Sequence, residues 1–256
     1  MKWIDKETMR NGIFAGTWLN AGSAVSAEIA GSAGFDWALI DLEHGSGDRH
    51  DLYHQLLALA PSPTAAIVRV PHVNAALFKD ILDLGPAGVM VPNVESAEAA
   101  REIVQLAHIP PAGTRGAATS TRASGYGATY KDYLQQCNQN IVLMAQIESR
   151  AGLSAAEAIA ATEGIDILFV GPTDLSIEMQ VPADMNNKAF RQALVHVAQA
   201  ARNQGKLCGA LVRSVSEIEI YSSLGYNVLT FGSDRGILYK GFTSALASLR
   251  PDSGNE

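Results

Sequence analysis

Eight short β-rich runs, each followed by a longer stretch of helical period and often rich in alanine, set the strongest constraint on how this chain folds. The runs cover residues 12–19, 37–42, 65–70, 88–92, 141–147, 167–171, 207–212 and 228–232. Strands that alternate with helices feed a parallel sheet, because a parallel pair needs a crossover long enough to hold a helix. Eight such units close into a (β/α)₈ TIM barrel, and the length of 256 residues suits one barrel. The expectation is an α/β protein with a single domain over 1–256. An open doubly wound sheet is the alternative fold, but no glycine-rich dinucleotide fingerprint follows the first run.

Local signals agree with that rhythm. Asn74, Ser96 and Asn187 each precede a periodic stretch, where a side-chain oxygen can cap the first free amides, and Gly85 and Gly205 stop two of the helices. One connection breaks the pattern. Residues 108–140 read as a long loop insertion carrying Arg115, Arg122, Tyr126 and Tyr130, suited to a flap over the site or to a subunit contact.

Composition narrows the partners. The chain is 47% hydrophobic with a net charge of −7, which supports a large core and argues against nucleic acid, whose phosphates need clustered Lys and Arg. No apolar run reaches the roughly 18 residues of a membrane span, and the N-terminal stretch lacks the apolar core of a secretory signal. Cys137 and Cys208 are the two cysteines and indicate no disulfide framework. The expected setting is the cytoplasm, and the expected partners are small molecules.

In a barrel of this kind the active site lies at the C-terminal rim of the strands. The residues at and just past the ends of the runs are chemical ones: Trp18 at the first, Asp41, Glu43 and His44 at the second, Arg69 at the third, Gln146 and Glu148 at the fifth, Thr173 and Asp174 after the sixth. Any one carboxylate there is an ordinary helix cap, but the convergence of the set on one rim points to a site. Glu148 and Asp174 come from adjacent strands and suit one hard divalent cation, Mg²⁺ or Mn²⁺ first, with Co²⁺ or Zn²⁺ as further candidates. Two protein oxygens leave positions for water and for the carboxylate and keto oxygens of a 2-oxo acid, whose C3 proton the metal would acidify. Thr173 and Asp174, at the start of a helix, offer amides to the substrate carboxylate, Gln146 offers an amide, and Trp18 an apolar wall. His44 is the proton carrier, oriented by Asp41 or Glu43. Arg69 stabilises the developing oxyanion.

The chain also resembles the 4-hydroxy-2-oxoheptanedioate aldolases and 2-dehydro-3-deoxyglucarate aldolases of the HpcH/HpaI aldolase/citrate lyase family. GTWLN, AGFDWALIDLEHG, VRVP, ILDLGPAGVMVPNVESAEAA, GTRG, AQIESRAG and IDILFVGPTDLS carry the resemblance and follow in the family's order. It implies a barrel of the phosphoenolpyruvate/pyruvate-superfamily type and a metal-dependent class II pyruvate aldolase. Such an enzyme reversibly splits a 4-hydroxy-2-oxo acid into pyruvate, or a close 2-oxo acid, and an aldehyde through a metal-bound enolate. It also implies Glu148 and Asp174 as metal ligands, His44 as base, Arg69 as stabiliser of the transition state, and Gln146 and Thr173 as substrate contacts. By resemblance alone, Asp83 makes the histidine more basic across a subunit contact, the assembly is a homohexamer, and the helix over 234–250 is exchanged between subunits.

Three competing enzyme readings and one non-enzyme reading remain. A class I aldolase needs a lysine at a strand end, and none of the seven lysines is placed for it. An oxaloacetate decarboxylase and a CoA-thioester lyase would use the same barrel and metal, the second without an evident basic patch for the CoA nucleotide. A non-catalytic binding or assembly barrel has no need to gather base, arginine and carboxylates on one rim.

Overall fold

The computed structural model describes residues 2–250, so residue 1 and residues 251–256 of the expected domain lie outside the described residues. Its strands are β1 (Phe14–Leu19), β2 (Trp37–Asp41), β3 (Ala65–Arg69), β4 (Gly88–Val91), β5 (Val142–Ile147), β6 (Ile167–Val170), β7 (Leu207–Val212) and β8 (Val228–Ser233). Neighbours in the chain pair in parallel and β8 pairs with β1, so the sheet closes into the barrel that the alternation predicts.

Both faces of the strands are buried, and the period of two sorts their side chains into two cores. On β2, Ala38 and Ile40 join the layer between sheet and helices, while Trp37 and Leu39 fill the barrel interior with Ile67, Met144 and Phe169. Carried toward the strand C-termini, the inward parity reaches Trp18, Asp41, Arg69 and Gln146 in succession around the mouth. The pleat itself therefore aims the chemical residues into one space. Large interior rings need small residues opposite: a Cβ at Gly16 would lie 2.4 Å from the Trp37 ring, and one at Gly209 2.6 Å from Phe169.

The helix starts are capped as expected. Asn74 accepts from the amides of Ala76 and Leu77, Ser96 from Ala99, and Asn187 from Phe190. Gly85 and Gly205 take the left-handed conformation just past two helix ends, with φ of 75° and 64°.

The segment 108–140 is not loop throughout. Tyr130–Asn140 is a helix that buries Tyr133 and Cys137, and its otherwise amidic, polar face conceals the helical period in the sequence. The part before it is tied down at the end of the barrel opposite the strand C-termini. There Arg122 donates to the carbonyls of Leu84 and Leu56, near the ends of two helices, and Arg115 donates to Ala107 O and Tyr133 Oη. It is no flap over its own chain's site.

The helix after β8, Asp234–Leu249, buries only Asp234. Ile237, Tyr239, Phe242, Leu246 and Leu249 are all exposed along it. Among the described residues, no helix is long and apolar enough to cross a membrane.

Gly16→Ala should lower unfolding stability by about 1–3 kcal/mol, the usual cost of overpacking a close-packed interior. Gly241→Ala, where an added Cβ meets nothing within 4 Å, should lower it by far less. Urea unfolding of the two variants checks this, and equal midpoints would contradict the packing described.

Candidate active site

Register brings Asp41 and Arg69 side by side, as direct partners across β2 and β3. Arg69 Nε donates to Asp41 Oδ1 at 2.8 Å and Nη2 donates to Oδ2 at 2.7 Å, a fork-on-fork pair that fixes the guanidinium plane. Nη1 lies 2.8 Å from Glu43 Oε2, and the guanidinium sits over the Trp18 ring, 4.5 Å from its centre. Trp18 is itself anchored through Nε1 to Thr230 Oγ1.

Asp41 does more than hold Arg69. Its oxygens also accept from Asn20 Nδ2 and from the backbone amides of Glu43 and His44. Of Asp41 and Glu43, either of which was expected to orient the His44 ring, Asp41 instead fixes the backbone that carries His44. Its carboxylate is engaged by Arg69, Asn20 and those two amides.

Across the mouth, Glu148 follows β5 and is 4% exposed. Oε1 accepts from the backbone amide of Asn93 and Oε2 from Gln146 Nε2 at 2.6 Å. Burial pushes its carboxyl up to about 7; the neighbouring carboxylates of Asp174 and Glu43 add to the rise, and the Asn93 amide and Arg69 oppose it. Burial likewise raises Glu43, against the pull of Arg69 and His44. Gln146 Oε1 is buried with no hydrogen-bond partner among the described residues. Gly171 leaves this corner open, since a Cβ there would lie 2.5 Å from Glu148 Oε2.

A divalent cation fits this arrangement. It would offset the negative charge of Glu148 and Asp174, hold Glu148 ionised, and offer the orphaned amide oxygen an electropositive neighbour. The donors are hard oxygens, as Mg²⁺ and Mn²⁺ prefer. Another group of potential ligands, Asp48, His50 and Asp51, brings its ligand atoms within 4.8 Å of one another. That group is a helix cap: Asp48 accepts from the amides of His50 and Asp51, and Asp51 accepts from the amide of Asp48.

Thr173 and Asp174 are exposed in the first turn of the helix Pro172–Met179, whose leading amides have no acceptor within the helix. Asp83 is not part of this assembly. It is the last residue of the helix Ala75–Asp83, at the opposite end of the barrel, where burial raises its carboxyl and Arg115 and Lys79 oppose that shift. Sequence reasoning passed over Asn20, Asn93, Asp234 and Arg235. Asn93 holds a left-handed φ of 50°, which Asn tolerates better than most residues, and so aims its amide at Glu148. Asp234 accepts from the amides of Asn20 and Ala21, and Arg235 donates to His44 O and Ser46 Oγ. The ends of the fourth and eighth strands, which hold Asn93 and this pair, carried the signal.

A cavity of about 600 Å³ opens from Trp18, His44 and Arg69 toward β7, β8 and the start of the last helix.

The sequence profile of the HpcH/HpaI aldolase/citrate lyase family matches residues 15–240. A 5-keto-4-deoxy-D-glucarate aldolase of Klebsiella pneumoniae is 38% identical over 232 residues, covering 91% of this chain and 90% of the relative. A hydroxypyruvate/pyruvate aldolase of Paraburkholderia phytofirmans is 37% identical over 241 residues, 92% of each. The crystal structure of an HpcH/HpaI aldolase/citrate lyase family protein from Burkholderia cenocepacia superposes with a TM-score of 0.90 at 34% identity, covering 96% of this chain and 98% of that one.

Asp41→Asn should cost about 3 kcal/mol of unfolding stability, because it strips a buried guanidinium of its two-pronged partner. Denaturant unfolding reads this directly, and an unchanged midpoint would show that Glu43 alone suffices.

Proposed function

Since the chain belongs to the HpcH/HpaI aldolase/citrate lyase family, whose members it matches over most of its length, we propose that it is a divalent-metal-dependent class II pyruvate aldolase. Its reaction is the reversible cleavage of a 4-hydroxy-2-oxo acid to pyruvate, or a close 2-oxo acid, and an aldehyde. The observation that carries this reading is the buried Glu148, raised to about 7 beside Asp174 and the unpartnered Gln146 Oε1, facing Arg69 across one mouth.

Glu148 and Asp174 would hold the cation, Mg²⁺ or Mn²⁺ before Co²⁺ or Zn²⁺. When bound, it supplies Lewis acidity toward the keto oxygen of the 2-oxo acid. The chain's own residues do the rest. Gln146 and the Thr173 amide position the oxo acid. In cleavage, His44 takes the proton of the C4 hydroxyl, the C3–C4 bond breaks, and the aldehyde leaves while the electron pair stays on the pyruvate fragment as its enolate. His44 then delivers that proton to C3, which completes pyruvate and returns the imidazole to its neutral form. Arg69 faces the oxygen that gains charge, and Asp41 and Glu43 pin it so that little reorganisation is needed as that charge develops.

The exposed apolar residues of Asp234–Leu249 support an exchanged helix in a homo-oligomer, a hexamer by resemblance. Asp83, remote from His44 in its own chain, would act only as the partner subunit's Asp83.

Exchange of pyruvate C3 protons in D₂O, followed by NMR, tests the reading. It should require added Mn²⁺ or Mg²⁺ and fall by at least about 100-fold in His44→Ala, the scale of a lost general base. Exchange that survives chelation, or borohydride trapping of pyruvate on the protein, would overturn it.

A further inference from the structure

His44 is exposed at the mouth, and the hydrogen bonds that it makes among the described residues run through its backbone. Where the imidazole reaches is therefore set by the segment that carries it, residues 43–47, and that segment is held from two sides. On the β2 side, Asp41 accepts from the amides of Glu43 and His44. On the β8 side, the Arg235 guanidinium donates through Nη1 to His44 O at 3.4 Å and through Nη2 to Ser46 Oγ. The loop after β1 joins the two sides. Ser46 N donates to Asn20 O at 2.8 Å, and Asn20 Nδ2 donates to Asp41 Oδ2 at 2.6 Å. Asp234, 8% exposed, accepts from the amides of Asn20 and Ala21 at 2.9 and 3.1 Å. Asp41, Asn20, Asp234, Arg235 and His44 thus close a ring of hydrogen bonds and chain links. The two loops lie backbone on backbone, since a Cβ at Gly22 would lie 2.8 Å from Gly47 Cα.

We propose that Asp234 and Arg235 are positioning residues for proton transfer: from the first turn of the last helix they close the frame that holds His44, and they act on the reaction through its imidazole. This rests on the aldolase reading, in which His44 is the base. Asp234 seats the start of the helix on the loop after β1, and Arg235, the next residue, carries that seat to the carbonyl of His44. The peptide groups on both sides of the His44 Cα are thereby fixed, the amide by Asp41 and the carbonyl by Arg235. With its ring unsupported by any hydrogen bond among the described residues, His44 depends on that frame for its reach. A displacement of about 1 Å is enough to cost a positioned proton transfer about 100-fold.

Steady-state exchange of pyruvate C3 protons in D₂O with Mn²⁺ suits the test, because no aldehyde is present and contacts to an acceptor cannot enter the result. Arg235→Met should lower kcat for exchange by about tenfold or more and leave KM for pyruvate within about twofold. Ser46→Ala, which removes an acceptor of Arg235, and Asp234→Asn, which replaces one carboxylate oxygen by a donor, should lower kcat as well. The three substitutions remove a positive charge, no charge and a negative charge, so a shared direction reads position and not electrostatic field. Arg235 and Ser46 are exposed, so their variants keep the test decisive if Asp234→Asn fails to fold. An unchanged kcat in Arg235→Met or in Ser46→Ala, a loss carried by KM, or opposite directions in Arg235→Met and Asp234→Asn would overturn the positioning role. In each of those cases metal-dependent exchange by the wild-type protein would leave the aldolase reading standing. Absence of that exchange would remove both.

Discussion

The two-pronged ion pair between Arg69 and Asp41 is the interaction on which the rest of the site depends. Two neighbouring parallel strands place these residues as direct partners, and the inward parity of both strands buries them at the mouth, with side-chain exposures of 5% and 0%. A pair so deeply buried contributes little net stability, because desolvation offsets most of the attraction. What it supplies is position. Asp41 also holds Asn20 and the amides that lead into His44, and Arg69 packs on Trp18, so one carboxylate orders the loop of His44, the Arg69 guanidinium and the Trp18 ring together.

The opposite side of the mouth is built on the reverse principle. Arg69 is flanked by two carboxylates, whereas Glu148 is held only by neutral donors, the Asn93 amide and Gln146 Nε2. Burial and the neighbouring carboxylates raise the Glu148 carboxyl, and a bound divalent cation would hold it ionised. Gly171 and the left-handed Asn93 serve the same corner, the first by having no side chain and the second by turning its amide onto Glu148. The site thus divides into a half that is complete within the protein and a half that a cation and a 2-oxo acid would complete.

The barrel was legible because eight β-rich runs in alternation with helical stretches leave few other folds, and the caps at Asn74, Ser96 and Asn187 mark real helix starts. The rim residues Trp18, Asp41, Arg69, Gln146 and Glu148 were legible for the same reason: strand-end position plus parity is readable from a chain. Other features depended on tertiary placement. The carboxylate of Asp41 turned out to serve its backbone neighbours and Arg69 rather than the His44 ring, a difference set by which donors lie closest in space. The helix Tyr130–Asn140 was hidden by its Gln- and Asn-rich outer face. Arg235 and Asp234 were not legible because their partners, Ser46, Asn20 and Ala21, lie between 189 and 214 residues away in sequence. Asp83 could be associated with the site only by resemblance, since nothing in its own chain brings it near His44.

The most direct test of the metal site is a crystal structure of the protein soaked with Mn²⁺ and pyruvate, with the ion located by its anomalous scattering. One strong peak is expected within bonding distance of Glu148 and Asp174, with the carboxylate and keto oxygens of pyruvate on the same ion. A peak at Asp48, His50 and Asp51 instead, or pyruvate bound at the mouth with no metal beside Glu148, would contradict it.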